Sequence, residues 1–345
     1  MTDSRPGVVV IGSGVVGLTT ALELRVRGAN VRVYTDASGH PPASRIAPAL
    51  FTPYPGPDET VFRSRTERSY AALAAIASNH ADESGVHLGV LHEYNYHPHE
   101  SRAWLDRLMD TRPLTPLPEG LCAATSSRRP HVDMRRYLPW LERRARSVGI
   151  EIISRRVGSF RDLDDGATDT VVNCAGLGSR TLAGDGLIKP MHGQVIHVQN
   201  DIGVERSVHD DAPGGLVAYI FVFRDRLVLG GTFDADRDDH RTDEDSIEGI
   251  VDRCRGLLRL DGNPRWNDLA RGPRTTFAGV RPTRGPAGAF EHIRVEREEQ
   301  TNGPVVIHNY GHGRAGVSLA WGTAAEAASL ALPASTARPD AAIIA

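Results

Sequence analysis

The chain has 345 residues, enough for two domains or for one domain interrupted by a second. Its 40 basic and 43 acidic residues nearly balance, leaving a formal net charge of −3, which argues against nucleic acid as a partner. With 40% hydrophobic and 24% charged residues it has an ordinary soluble composition, and no apolar run approaches the roughly 20 residues of a membrane helix.

Val8 to Ile11 reads as a β-branched strand closed by Gly12-Ser13-Gly14-Val15-Val16-Gly17. Leu18, Ala21, Leu22 and Leu24 then carry a helical pattern as far as Gly28, a suitable residue just beyond a helix C-terminus. Val31 to Tyr34 alternates as a second strand and reaches Asp36, completing a β-α-β unit. Proline and glycine around Pro41-Pro42 and from Pro53 to Pro57 mark a loop. The spacing predicts a helix over Thr66 to Ala81, while Tyr94, Tyr96, His97 and His99 show no readable period. Asp133 is a good N-cap for a helix through Tyr137, Leu138, Trp140 and Leu141 to Gly149, with Pro139 tolerable only in its first turns. Ile150 to Ile153 and Thr170 to Asn173 predict strands. From His192 to Thr232 the pattern is β-rich, with a turn at Arg224-Asp225 between two strands. An acidic helix follows over Glu244 to Leu258. Val305 to His308 is a buried strand that enters a glycine-rich turn and a helix from Val317 to Leu330. The tail after Pro333 is expected to be disordered.

Gly12, Gly14 and Gly17 form a G-x-G-x-x-G motif in its required context, after a strand and before a helix. The glycines permit a tight turn and close approach of backbone to a pyrophosphate; the helix N-terminus supplies free N–H groups, and Asp36 can accept from ribose hydroxyls. The motif alone leaves FAD and NAD equally open. Two further strand-to-glycine junctions, Asn173-Cys174-Ala175-Gly176-Leu177-Gly178 and Asn309-Tyr310-Gly311-His312-Gly313-Arg314-Ala315-Gly316, favour FAD, because a large cofactor running between segments needs bare backbone at several strand ends. The helix after the second junction would stabilise negative charge on a reduced flavin ring.

In five stretches the chain resembles the D-amino-acid oxidase and D-aspartate oxidase family, over nearly its whole length and in the family's order. They are Val8 to Leu18, Val171 to Asp185, Pro190 to Val198, Gly279 to Gly285 and His308 to Gly322. The resemblance implies an α/β fold: a Rossmann-type FAD-binding domain assembled from residues 1–57, 130–190 and 283–332, with an α+β substrate domain on a mixed sheet from 58–129 and 191–282. Residues 333–345 are left as the tail. It implies FAD contacts at Gly12, Gly14, Val15, Val16 and Gly17, at Asp36, Ser44 and Arg45, and at Ala49, Leu50 and Thr52. Further contacts are expected at Val157, at Cys174, Ala175 and Gly176, and at Gly313, Arg314, Ala315, Gly316, Val317 and Ser318. It also implies direct hydride transfer from the Cα of a D-amino acid to flavin N5, with O2 as the final acceptor. Hydrogen peroxide, a 2-oxo acid and ammonia are the products. The substrate carboxylate would be held by Arg281 and by the Tyr219 hydroxyl, a task suited to the fixed fork of arginine.

Departures from the family pattern bear on the substrate. Gly215 stands where a lid tyrosine is common, so the pocket is expected to be wider. His192 replaces an arginine, and the flavin-side loop reads Ala49-Leu50-Phe51-Thr52-Pro53-Tyr54, which puts Tyr54 in the pocket. Arg314 replaces a glycine. It either turns outward to water or a flavin phosphate, or points into the pocket and favours an anionic substrate side chain. Two other readings stay open: an amine oxidase of the glycine or sarcosine type or a biosynthetic tailoring oxidase, and a non-catalytic flavin-binding protein. Retention of Arg281 and Tyr219 argues against the last.

Three dispersed cysteines, Cys122, Cys174 and Cys254, form neither a disulfide framework nor a C-x-x-C pair, and no charged-then-apolar leader precedes Val8. A cytoplasmic protein is expected, with a small amino acid and O2 as partners, no nucleic acid or membrane, and a homodimer admissible. His92, His97 and His99 lack the cysteines or carboxylates of a metal site and read as a polar surface loop; Asp234 to Asp245 reads as a solvated loop.

Overall fold

A computed structural model describes residues 5–36, 42–55, 57–98, 102–211, 216–285, 292–301 and 303–332. The opening apolar run forms the Gly7–Ile11 strand, buried from Val8 onward. A strand covered on both faces carries a continuous run of Val and Ile rather than alternation, and this one is the hub of a six-stranded sheet. Asn30–Thr35 and Thr170–Asn173 flank it in parallel. Glu151–Ser154 extends one side; Val305–Tyr310 and the antiparallel edge Arg294–Glu298 extend the other. Chain order therefore reverses at the hub, and an open α/β sheet leaves a crevice at such a point, beyond the carboxyl ends of its strands.

Alternate residues of the hub face opposite layers. Val8 and Val10 share a core with Leu18, Leu22, Tyr137, Leu141 and Ala320, from the helices Val15–Val26, Met134–Ser147 and Gly316–Ala331. Val9 and Ile11 instead pack with Phe160, Leu163 and Val171. Buried Trp321 donates its indole N–H to the Tyr137 hydroxyl at 2.8 Å, so that indole's donor is satisfied within the core. Asp133 caps the Met134–Ser147 helix by accepting from the Arg135 amide, and it also receives Arg226 at 2.7 Å. The Glu59–Asn79 helix begins well before the expected Thr66. Asp58 caps it through the Thr60 and Val61 amides, and its first turns are too polar to display an apolar stripe.

The second sheet has ten strands and is mixed: Val86–Asn95 and Ser207–Asp210 run parallel, whereas the other neighbours pair antiparallel. The Glu244–Leu260 helix covers one face, placing Ile247, Ile250 and Leu257 against Ile196, Ile220 and Leu229. The opposite face carries Val195, Tyr219, Phe221 and Val228. This sheet corrects two expectations. His92 belongs to the Val86–Asn95 strand, not to a surface loop, because its Nδ1 lies 2.8 Å from a carboxylate oxygen of Asp261. The acidic run is not simply solvated: Asp234–Ala235 is a short strand, Arg237 binds Asp239, and Asp243 caps the following helix at the Ser246 amide. His97 is exposed, whereas His99, Gly215 and the tail 333–345 lie outside the described residues. Among the described residues no helix is long and apolar enough to cross a membrane, and no group of three His, Cys, Asp or Glu is arranged to hold a metal.

Candidate active site

At the carboxyl end of the hub strand a cavity of about 1000 Å³ opens, running from the first glycine turn to the face of the second sheet. That volume is at the upper end for ligand pockets and gives room for an extended cofactor together with a small substrate. Its first wall is the turn Gly12 to Gly17. Gly12 takes a φ of 108°, and a Cβ on Gly17 would collide with the Gly12 carbonyl, so both positions demand glycine. Gly14 ends the turn as the helix N-cap, with no side-chain cap and no acid in the first turn of Val15–Val26. The positive end of the helix dipole thus faces the cavity, as a pyrophosphate requires. Ser44 accepts from the Val15 amide at 3.2 Å, and Ser13 and Thr35 hydroxyls lie 2.7 Å apart, tying the turn to the neighbouring strand. Asp36 lines the same end, 3.7 Å from Arg156.

The other two glycine junctions close the cavity's flank. Asn173 is fully buried and accepts from the Ala175 amide and the Ser179 hydroxyl at 3.1 and 3.2 Å, which bends the chain at the strand end. Buried Asn309 donates to Thr20 at 3.0 Å and anchors its strand to the first helix. His312 lies 2.9 Å from the Thr323 hydroxyl, and desolvation pushes its imidazole down to about 3, so it is neutral where it supports the Gly313–Ala315 turn.

The far end is built on the second sheet. Tyr219 lies in the Ala218–Val222 strand and Arg281 in Arg274–Arg284, and the two strands between them supply glycine where each side chain must lie. A Cβ at Gly230, the register partner of Tyr219, would collide with the tyrosine ring; one at Gly193 would collide with the Arg281 guanidinium. Tyr219 stacks on Phe221 with centroids 4.5 Å apart. Burial pushes its phenol up to about 12 against the pull of Arg281, leaving the hydroxyl a donor at neutral pH. Arg281 donates to the carbonyls of His192 and Thr232, both at 3.3 Å, and its guanidinium carbon sits 4.8 Å from the Phe233 centroid. Desolvation lowers its pKa, with Arg314 adding to the effect, yet a guanidinium remains charged. An immobilised cation and a hydroxyl donor on one wall have the chemistry to accept a carboxylate.

Most of the sequence-expected residues line this one cavity. Gly12, Gly14, Val15, Val16, Gly17, Asp36, Ser44, Thr52 and Val157 do so, as do Cys174, Ala175, Gly176, Gly313, Gly316 and Val317; Tyr54, Tyr219, Arg281 and Arg314 join them. Arg45, Ala49, Leu50, Ala315 and Ser318 do not. Arg45 is exposed on the short Ala43–Ile46 helix, Ala49–Leu50 is buried as a strand against Ala123–Val132, and Ala315 is buried in its turn. Ser318 accepts from the Thr52 amide at 3.0 Å and so acts behind the cavity wall. Sequence reasoning missed Phe233, His209, Arg155 and Arg156 in the lining. Phe233 follows Gly230-Gly231-Thr232, a spacing that carried a signal; His209 enters only through its register pairing with Tyr219. Desolvation lowers the His209 pKa, and it is neutral at pH 7.

A glycine turn at a topological switch, joined by one cavity to a buried arginine and tyrosine on a mixed sheet, fits a flavin-dependent oxidoreductase. A family model described as FAD dependent oxidoreductase, DAO, matches residues 7–330. The D-amino-acid oxidase of Streptomyces coelicolor is 34% identical over 334 residues, covering 96% of this chain and 98% of that protein. The D-aspartate oxidase of Homo sapiens is 32% identical over 94% of each. A crystal structure of glycine oxidase from Bacillus cereus superposes with a TM-score of 0.71 over 94% of both chains at 20% identity, a likeness of fold alone. The chain belongs to the DAO family of FAD-dependent oxidoreductases.

Proposed function

We propose that the protein is a D-amino-acid oxidase, taking a hydride from the Cα of a D-amino acid and passing the electrons to O2. The carrying observation is that Arg281 and Tyr219 converge at the end of the cavity that begins at the glycine turn. The kinship with proteins named D-amino-acid oxidase and D-aspartate oxidase supports the D configuration. Bound FAD supplies a two-electron acceptor whose reduced form reacts with dioxygen to give hydrogen peroxide. The residues of the chain bind and orient. Arg281 takes the substrate carboxylate through two parallel N–H bonds, Tyr219 adds a hydroxyl donor, and the rings of Tyr219, Phe221 and Phe233 exclude water from one wall. A substrate arriving with a neutral amine needs no general base, so orientation over a reactive cofactor accounts for catalysis. The imine product hydrolyses to a 2-oxo acid and ammonia.

The test is peroxide release by the purified yellow protein across D-, L- and N-methyl amino acids. Activity confined to D-isomers is expected. Preference for glycine or sarcosine would move the protein to the amine-oxidase reading, and silence on the whole panel would refute catalysis on amino acids.

A further inference from the structure

We propose that His192 is a pH-sensitive latch that positions the wall of the substrate end; this rests on the oxidase reading above, in which Arg281 takes the substrate carboxylate. His192 is fully buried and pairs in register with Asp234, at the start of a segment that runs to Asp243. Its Nδ1 lies 3.2 Å from a carboxylate oxygen of Asp234, and its Nε2 lies 3.0 Å from the Arg241 carbonyl. Both partners are acceptors, and a neutral imidazole has a single N–H to give. The two bonds therefore form together only when the ring is an imidazolium. Loss of its proton to water leaves one ring nitrogen with its lone pair facing an acceptor, and that bond is gone.

The segment so held is cavity wall: Phe233, Asp238, Asp239 and His240 line it together with Arg281. Two further anchors hold it. Arg237 donates to Asp239 and to the Arg241 carbonyl, and the Gln194 side chain bonds both the carboxylate and the amide of Asp243. Neither anchor changes charge near neutrality, because Arg237 holds Asp239, and Ser246 holds Asp243, below the ordinary carboxylate range. The other charges facing His192 are Asp239, 3.9 Å from its Nε2, and Arg237, which also reaches Asp234; Lys189 faces Asp236 beside them. The latch meets the Arg281 fork from two sides. The His192 carbonyl accepts from Arg281, and Phe233, next in the chain to Asp234, lies against its guanidinium. Arginine, the residue that His192 replaces, would keep its charge at every pH, whereas histidine makes the hold conditional. His192 is thus a positioning residue, acting through the wall and the fork.

The experiment titrates the FAD-loaded enzyme with butyrate between about pH 6 and pH 8.5, across the range in which histidine changes charge. Binding is read from the flavin absorbance, without turnover. Tyr219, pushed up to about 12, and His312, pushed down to about 3, keep one protonation state there. Native affinity should fall about 3- to 10-fold as pH rises, the scale of one hydrogen bond. It should stay at the weak level throughout in His192→Gln and at the tight level in His192→Arg. A second readout needs no ligand: amide hydrogen exchange across residues 234–243, taken as the ratio of His192→Gln to native at each pH so that the intrinsic rate cancels. That ratio should be well above one at the acid end and approach one at the alkaline end. A flat native affinity, or an exchange ratio that does not move with pH, would overturn the latch. So would a pH dependence that survives in His192→Gln, which would assign it to another group such as His240. Failure of butyrate to bind, or of D-amino acids to reduce the flavin, would remove the oxidase reading instead, and the exchange ratio would then decide the latch by itself.

Discussion

The guanidinium of Arg281 occupies the space that a side chain on Gly193 would fill, so the position of the fork depends on a residue with no side chain of its own. Because the colliding atoms are the far end of a flexible side chain, Gly193→Ala should fold and displace the fork. KM for the amino acid should rise about tenfold, in line with roughly 1–3 kcal/mol for a misplaced charged bond. Steady-state kinetics with D-Ala checks this, and an unaltered KM would place the substrate elsewhere.

Tyr219→Phe removes one hydroxyl donor and keeps the ring stacked on Phe221. A lost neutral bond of about 0.5–1.5 kcal/mol corresponds to a drop of roughly 2- to 10-fold in kcat/KM. Thermal stability should hold, since the packed surface is preserved. A loss of stability without a kinetic effect would make Tyr219 a packing residue only.

Asp133 joins the two layers by capping the Met134–Ser147 helix while receiving both terminal nitrogens of buried Arg226, at 2.7 and 2.9 Å. Asp133→Ala removes a bidentate partner of buried Arg226, leaving it only the Asp225 bond at 2.7 Å, and is expected to cost about 1.5–3 kcal/mol. Urea denaturation measures it; a change below about 1 kcal/mol, the scale of a surface pair, would contradict the assignment.

Stability should also depend on pH through buried histidines. Desolvation pushes His131 down to about 3 and His197 to about 4, from an ordinary 6.5. The charges of His87 and Arg129 reinforce the shift at His131, and Arg226 and Arg135 reinforce it at His197. Between the lowered and the ordinary value the unfolded chain binds more protons than the folded one. The stabilisation is therefore complete above about 6.5 and lost as pH falls toward 4 and 3. Asp165 and Asp243, lowered from 3.8 to about 2, contribute only in more acid solution. The thermal midpoint should drop from about pH 7 to about pH 5, and less steeply in His131→Gln. A flat profile would show that these imidazoles are not held neutral.

The cofactor end of the site was legible because its chemistry is local: glycines, a helix start and an acid fall in one short stretch from Gly12 to Asp36. Arg281 and Tyr219 were reached through resemblance, since nothing within either segment announces a carboxylate receptor. What sequence could not show is where strands set residues side by side. Gly193 and Gly230 matter through pairing with the strands that carry Arg281 and Tyr219, and Phe233 matters because two arginines share its ring. His92 was misread for the same reason, as its partner Asp261 lies far along the chain. The expected start of the Glu59–Asn79 helix failed differently, because its cap and polar first turns carry no apolar period. Arg314 left two orientations open, and in the structure its guanidinium stacks on Tyr54 in the cavity lining.

The most direct test of the central claim is anaerobic mixing of the FAD-loaded enzyme with D- and L-alanine, in the native protein and in Arg281→Met, followed at the flavin absorbance. D-Alanine should bleach the native flavin, L-alanine should not, and the variant should need far more D-alanine, consistent with about 2–5 kcal/mol of lost binding. Equal bleaching by both isomers, or an Arg281→Met protein as easily reduced as the native one, would contradict the account.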